Sequence, residues 1–326
     1  MTDPKVGFVV IEKYQCLLCD PRDDGGEEKE LAAAKSIKDL SPNKTVIFYF
    51  AVDYARTWYQ LGRYFDAHPS LEVHNADGSL ATISSEGSTW HIFDFAVPNA
   101  RAAWVQTLVD AVSSGLVDGV FVDGYRSPGG WANQLIPHAT AEEQQDWLTG
   151  VKEASRLLGA ALSAAQPGAT LIINPGSEYD SFPGYNAISL EFFDASLSSM
   201  QQLARLNGTL VEVHVYAGTN IALFNTSLAA YLCAAGEGAY YGAGSTWNTC
   251  ESWLIPHREY AQPLGAPLGP AAITQGGTVW TRTFGGGAVA RVNAATSTPH
   301  TCIRWADGSF TGSPADCVGP LSVWRD

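Results

Sequence analysis

The chain is short of cations. Lys and Arg together number 19 against 33 Asp and Glu in 326 residues, a formal net charge of −14. Binding to nucleic acid needs clustered Lys and Arg on the phosphates, so a polyanionic partner is disfavoured and a neutral or cationic one fits better. Long apolar runs are also missing. Each is broken by Asp, Gly or Asn before the roughly 18 residues that a membrane-spanning helix needs. No secretory leader is visible at Met1, because Thr2 to Lys5 is polar and the apolar run Val6 to Ile11 is too short. The start reads as the boundary of a mature chain or of an expressed piece.

Motifs for bound cofactors are lacking as well. His68, His74, His91, His138, His214, His257 and His300 form no H-x-H or H-x3-H pair, so the sequence spacing carries no metal-ligand set. Neither Gly129-Gly130 nor Gly285-Gly286-Gly287 sits in a phosphate-loop arrangement, which disfavours dinucleotide or ATP chemistry. No cofactor is expected.

What is present is a large apolar fraction, 46%, with 10 Trp, 13 Tyr and 13 Phe. That supports a deep core and leaves aromatic faces on which sugar rings can stack. The six cysteines fall as local pairs, Cys16/Cys19, Cys233/Cys250 and Cys302/Cys317, and an even count at local spacing fits disulfides. Cys16-Leu-Leu-Cys19 is also compatible with a zinc half-site or a redox motif, but no second CxxC accompanies it. Three sequons, at Asn43, Asn207 and Asn225, agree with a secreted protein.

Short β-rich runs ending in polar residues alternate with amphipathic stretches, the pattern of parallel strands joined by crossover helices. The expected strands are Gly7–Glu12, Thr45–Val52, His91–Phe95, Gly119–Asp123, Thr170–Asn174, Ala187–Phe192, Val211–Val215 and Gly238–Tyr241. Eight such strands close a (β/α)8 TIM barrel. Pro98–Ser113 and Thr140–Ala165 read as helices, the second opening on a capping box, Thr140-Ala-Glu-Glu143. After about Pro267 the helix signals stop, and alternating segments at Thr278–Phe284, Ala288–Val292, Thr301–Trp305 and Leu321–Trp324 suggest antiparallel strands. The expected division is a catalytic barrel over residues 1–266 and a small C-terminal antiparallel β domain over 267–326, stapled by Cys302/Cys317.

In a barrel of this class the chemistry sits at the carboxyl ends of the strands. The acids there are Glu12, Asp53, Asp94, Asp123, Glu191 and Asp194, with Glu178 in the loop after the fifth expected strand. Asp118-Gly-Val-Phe-Val-Asp-Gly124 is the most informative segment, because an apolar strand delivers Asp123 into a Gly-rich loop while Asp118 stays at the entry end. Asp123 is read as catalytic and Asp118 as structural. Glu191, in Ile188-Ser-Leu-Glu-Phe-Phe-Asp194, has apolar neighbours that disfavour its charged form and suit proton donation. Glu178 is its rival.

Three motifs carry a resemblance. Asn75-Ala-Asp-Gly-Ser-Leu80 supplies a D-G turn, Phe93-Asp-Phe-Ala-Val-Pro-Asn-Ala-Arg101 a D-x-x-x-P-x-x-R helix entry, and Asp118–Gly124 the D-G-x-F-x-D strand. In this order they resemble the hypothetical glycosyl hydrolase barrels, and Val279–Asn293 looks like an accessory sheet of such enzymes. The resemblance implies a glycosidase with a nucleophilic Asp after strand four and an acid/base after strand six, positions that match Asp123 and Glu191 by strand count. Asp53, Glu12, Tyr125, Arg126, Trp131, Tyr179, His214, Tyr216 and Trp247 are then candidates for substrate binding, with Trp90 a further loop aromatic and Glu212 on the face of His214.

The expected partner is an oligo- or polysaccharide, met by a secreted monomer acting without nucleic acid or membrane. Two other readings stay open: a catalytically inactive barrel that binds glycan through the same aromatic mouth, and a metal-dependent polysaccharide deacetylase on the same fold.

Overall fold

The computed structural model describes residues 7–11, 25–85, 88–124, 139–174, 183–245 and 257–317. The chain divides into two compact units, Met1–Ser189 and Leu190–Asp326.

The first unit contains, in chain order, β1 (Phe8–Ile11), α1 (Gly26–Leu40), β2 (Thr45–Ala51), β3 (Tyr54–Ala55), α2 (Gln60–Asp66), β4 (Thr82–Ser85), β5 (Ser88–Ile92), α3 (Pro98–Ser113), β6 (Gly119–Asp123), α4 (Ala141–Ala165) and β7 (Thr170–Ile173). β8 (Ala187–Glu191) spans the boundary. The strand order is β1-β2-β6-β7-β8, all parallel. These strands are near-continuous apolar runs because they are covered on both faces; in β2, Val46 to Ala51 are all buried. Gly119 starts β6 for a steric reason, since a Cβ there would lie 2.1 Å from the Thr170 carbonyl oxygen on β7.

The two helices expected from the sequence are present. Pro98 occupies the first turn of α3. Thr140 caps α4 in a full capping box, its hydroxyl accepting from Glu143 N at 3.2 Å while Glu143 Oε2 accepts from Thr140 N at 2.7 Å. Trp104 on α3 and Trp147 on α4 are fully buried, and each indole N–H finds a backbone carbonyl, Ala51 O at 3.0 Å and Phe93 O at 2.7 Å.

The expected strand His91–Phe95 is not part of the parallel sheet. Its first residues lie in β5, the centre of an antiparallel three-stranded sheet ordered β3-β5-β4, and Phe93 makes an isolated bridge to Glu72. The reason is legible in its pattern. His-Ile-Phe-Asp-Phe carries a polar side chain inside the run and suits a sheet with one wet face, whereas between their end residues β2 carries only apolar side chains and Tyr49, and β6 only Val120, Phe121 and Val122. Among the described residues Asp123 therefore ends the third parallel strand in chain order and Glu191 the fifth, rather than the fourth and sixth.

In the second unit the parallel order continues from the end of β8 through β9 (Leu210–Tyr216) to β10 (Ala239–Gly244), with α5 (Leu197–Arg205) and α6 (Ile221–Ala234) between them. Among the described residues the parallel sheet thus has seven strands rather than eight, within the α/β class expected. The C-terminal sheet follows as β11 (Ala272–Thr274), β12 (Val279–Thr283), β13 (Val289–Asn293), β14 (His300–Arg304) and β15 (Phe310–Gly312), antiparallel in that order and closed by the short α7 (Pro314–Cys317). It lies in the same compact unit as β9 and α6. Arg282 on β12 reaches the end of α6, donating from Nη1 to the carbonyls of Leu232, at 3.4 Å, and Ala235. A guanidinium there satisfies carbonyls that no helical N–H can reach.

Cys302 and Cys317 form a disulfide with Cα atoms 5.2 Å apart, joining β14 to α7. The expected partner of Cys233, Cys250, lies outside the described residues, and among the described residues Cys233 is a thiol without a disulfide partner, 2% exposed, on α6. Its Sγ faces β12 and donates to Trp280 O at 3.7 Å, so the helix face that carries it points into packing. Cys250, Cys16 and Cys19 lie outside the described residues. No helix among the described residues is long and apolar enough to cross a membrane.

Candidate active site

The Asp123 carboxylate is surrounded by donors from three consecutive parallel strands. Tyr49 OH donates to Oδ2 at 2.7 Å, Asn174 Nδ2 to Oδ1 at 3.0 Å, and Gly124 N to Oδ1 at 2.8 Å. The ladder places all of them. Val52 N donates to Asp123 O at 2.9 Å and Asn174 N to Val122 O at 3.0 Å, so β2, β6 and β7 end together. Tyr49 pairs in register with Phe121, on which its ring stacks with centroids 5.8 Å apart. A carboxylate receiving three N–H and O–H groups is used as an acceptor, and such contacts favour its ionised form.

Gly124 adopts φ +84, a left-handed conformation that L side chains rarely take. A Cβ on it would also fall 2.7 Å from Asp53 Cγ. Asp53, 3% exposed, thus lies directly against the turn that follows Asp123. Asp118, at the other end of β6, has the structural role expected of it: Lys38 Nζ lies 2.6 Å and Val46 N 2.7 Å from its Oδ2.

In the second unit, Glu191 ends β8 and Tyr216 OH donates to its Oε1. Glu212, His214 and Tyr216 alternate along one face of β9. His214 is buried, its ring centroid is 4.6 Å from that of Tyr216, and its Nδ1 is 3.6 Å from Glu212 Oε1. Phe192, next to Glu191, has φ +59 and is 71% exposed, with its ring 4.9 Å from Tyr216. A non-glycine residue held in that region costs about 1–3 kcal/mol.

Other strand-end acids do ordinary work. Asp94 accepts from Ala96 N at 3.0 Å at the entry to α3, and burial pushes its carboxyl up. Asp194 Oδ1 accepts from Ser196 N at 3.0 Å and Ser199 Oγ at 2.6 Å beside the start of α5. Trp90 is 4% exposed, packed edge-on to Trp58 at 4.7 Å, and is not open to a ligand. Glu12, Tyr125, Arg126, Trp131, Glu178, Tyr179 and Trp247 lie outside the described residues. Tyr49 and Asn174 were not among the sequence candidates. A tyrosine within the apolar run of β2, and an amide at the strand-end position searched only for acids, were the signals.

The sequence from residue 38 to 288 matches the model of a family described as hypothetical glycosyl hydrolase family 15. No curated protein matches the chain. Solved structures similar to it include an α-galactosidase from Thermus thermophilus (14% identity, 81% of this chain and 54% of that one, TM-score 0.49). A noncanonic maltogenic α-amylase from Thermotoga neapolitana is similar at 13% identity over 86% of this chain and 70% of that one, TM-score 0.47. An α-L-fucosidase isoenzyme 2 from Paenibacillus thiaminolyticus is similar at 16% identity over 68% of this chain, TM-score 0.45, and the match spans 37% of the fucosidase.

Proposed function

The chain belongs to hypothetical glycosyl hydrolase family 15, and from that premise we propose that it hydrolyses glycosidic bonds in an oligo- or polysaccharide with two carboxyl groups, Asp123 and Glu191. The observation that carries the reading is the Asp123 carboxyl group at a strand's carboxyl end, oriented by hydrogen bonds accepted from Tyr49, Asn174 and the Gly124 amide.

Cleaving an acetal requires one carboxyl to give a proton to the leaving oxygen as the C–O bond breaks, and a second, ionised one to meet the positive charge at the anomeric carbon. Asp123 takes the second role. Glu191, at the carboxyl end of β8 with Tyr216 OH donating to its Oε1, takes the first. Water then completes the reaction, with Glu191 recovering a proton from it. If Asp123 bonds to the anomeric carbon the product retains configuration; if it instead takes a proton from a water that attacks the opposite face, configuration inverts. Tyr216 on β9 is the proposed contact for a sugar hydroxyl, and the buried His214 and Asp53, the latter beside Gly124, are proposed to position that lining. The Cys302–Cys317 disulfide supports a secreted enzyme, since such bonds persist in oxidising compartments.

The test is a panel of aryl glycosides and polysaccharides with product detection on the purified chain. Turnover of at least one substrate that disappears in Asp123→Asn supports the reading. Binding of a glycan without products from any substrate supports the inactive-barrel alternative instead, and release of acetate surviving in Asp123→Asn supports a deacetylase.

A further inference from the structure

The excursion between β2 and α3 brings together side chains that the glycosidase reading does not use. Asp66 ends α2, Glu72 lies in the bridge to Phe93, and His91 is on β5. Among the described residues these three have one donor atom each within 4.8 Å of the others. His91 Nδ1 is 3.1 Å from Asp66 Oδ1 and 3.2 Å from Glu72 Oε2.

Glu72 makes this arrangement unusual. Its side chain is 0% exposed, and among the described residues neither carboxylate oxygen has a well-aligned hydrogen-bond donor, since His91 Nδ1, 3.2 Å from Oε2, is aligned on Asp66 instead. A buried carboxylate is costly to leave so. A single imidazole proton cannot serve both acids. A dication neutralises both at once.

We propose that Asp66, Glu72 and His91 form a binding site for one divalent transition-metal ion of borderline softness, zinc being the representative. The donors decide the class: two carboxylates and an imidazole suit zinc or its neighbours, while calcium wants six to eight oxygens and magnesium an octahedron of them. The distances agree. Bonds of about 2.0–2.2 Å at tetrahedral angles put neighbouring donors about 3.3–3.5 Å apart. The 3.1 and 3.2 Å separations from His91 Nδ1 lie close to that edge. The side chains of Asp66 and His91 are 37% and 31% exposed, which leaves the remaining position to water and gives an ion a way in. Bound there, the ion ties the end of α2, the Glu72 bridge and β5 to one centre. The site is separate from Asp123 and Glu191 in the residues it uses, and its occupancy stands or falls independently of glycosidase activity.

The test uses the whole chain, stripped with EDTA, dialysed and titrated with zinc chloride against a chromogenic chelator, with thermal melts at each ratio. The expected result is one zinc equivalent lost in Asp66→Asn and in His91→Gln, each variant binding at least tenfold more weakly, and a zinc-dependent rise in Tm that both abolish. His300→Gln, at an exposed histidine remote in sequence, behaves as the parent. Glu72→Gln gives the same loss; should it fail to fold, the half-exposed Asp66→Asn decides alone. Zinc uptake unchanged in Asp66→Asn and His91→Gln, or no uptake by the parent, overturns the site. Preferential binding of calcium or magnesium there overturns the ion class.

Discussion

Asn174 donates from Nδ2 to Asp123 Oδ1 at 3.0 Å, across the ends of two neighbouring parallel strands whose residues lie 51 positions apart in the chain. With Tyr49 on the other flank, it defines what Asp123 can do, since a carboxylate held by fixed donors is an oriented charge. Two of the three motifs that carried the family resemblance turn out to shape the scaffold. Asp77 Oδ1 accepts from Ser79 N at 2.9 Å to form a turn, and Arg101 Nη1 binds the carbonyls of Phe95 and Ala96 at the entry to its own helix.

Replacing either proposed catalytic carboxyl should abolish most turnover. Glu191→Gln is expected to lose roughly 10²–10⁴-fold in kcat, the usual worth of a general acid, and Asp123→Asn at least as much. Initial rates on a substrate found in the panel, with circular dichroism to establish folding, check this. A Glu191→Gln enzyme of parental rate removes Glu191 from the mechanism.

Tyr49→Phe and Asn174→Ala each delete one donor to Asp123 without touching the carboxylate. A hydrogen bond to a charged group contributes about 1.5–3 kcal/mol. Losses of roughly 10- to 100-fold in kcat/KM therefore follow, at about 1.4 kcal/mol per tenfold. The paired variant should lose less than the product of the two single losses, because both donors act on one group. Strict multiplicativity would separate their roles.

Gly124→Ala should be destabilising and damaging to activity together. The left-handed φ of +84 and the 2.7 Å approach of a Cβ to Asp53 Cγ act at the same residue. The backbone conformation alone costs about 1–2 kcal/mol. A drop in Tm with a parallel fall in kcat is expected. A stable, fully active Gly124→Ala would show that the turn does not hold the site.

Alkaline pH should unfold the second unit. Burial pushes the Cys233 thiol up to about 12 from an ordinary 9.0, and burial likewise pushes the Tyr231 and Tyr260 hydroxyls up to about 12. Groups whose folded pKa is raised stabilise the fold fully below their unfolded values and cease to do so as pH rises through the folded ones. Tm measured by calorimetry should be level up to pH 8.5 and then fall steadily from about pH 9 toward 12. Cys233 should resist iodoacetamide at pH 8 until denaturant is added; rapid alkylation of the native chain would place the thiol at the surface.

Local physics wrote much of this protein into its sequence. The boundaries of β6, α3 and α4 follow from an apolar run between two aspartates, a proline at a helix start and a capping box, each of which acts over a few residues. The placement of Asp123 at a strand's carboxyl end, and the structural role of Asp118 at its start, were legible for the same reason. What the sequence could not determine depends on register between distant segments. Whether His91–Phe95 joins the parallel sheet, which donors face Asp123, whether Cys233 meets a partner, and how Asp66, Glu72 and His91 converge are all set by which strands and helices lie side by side. Spacing along the chain carries no record of those distances, because burial and backbone pairing between whole elements choose them and individual side chains follow.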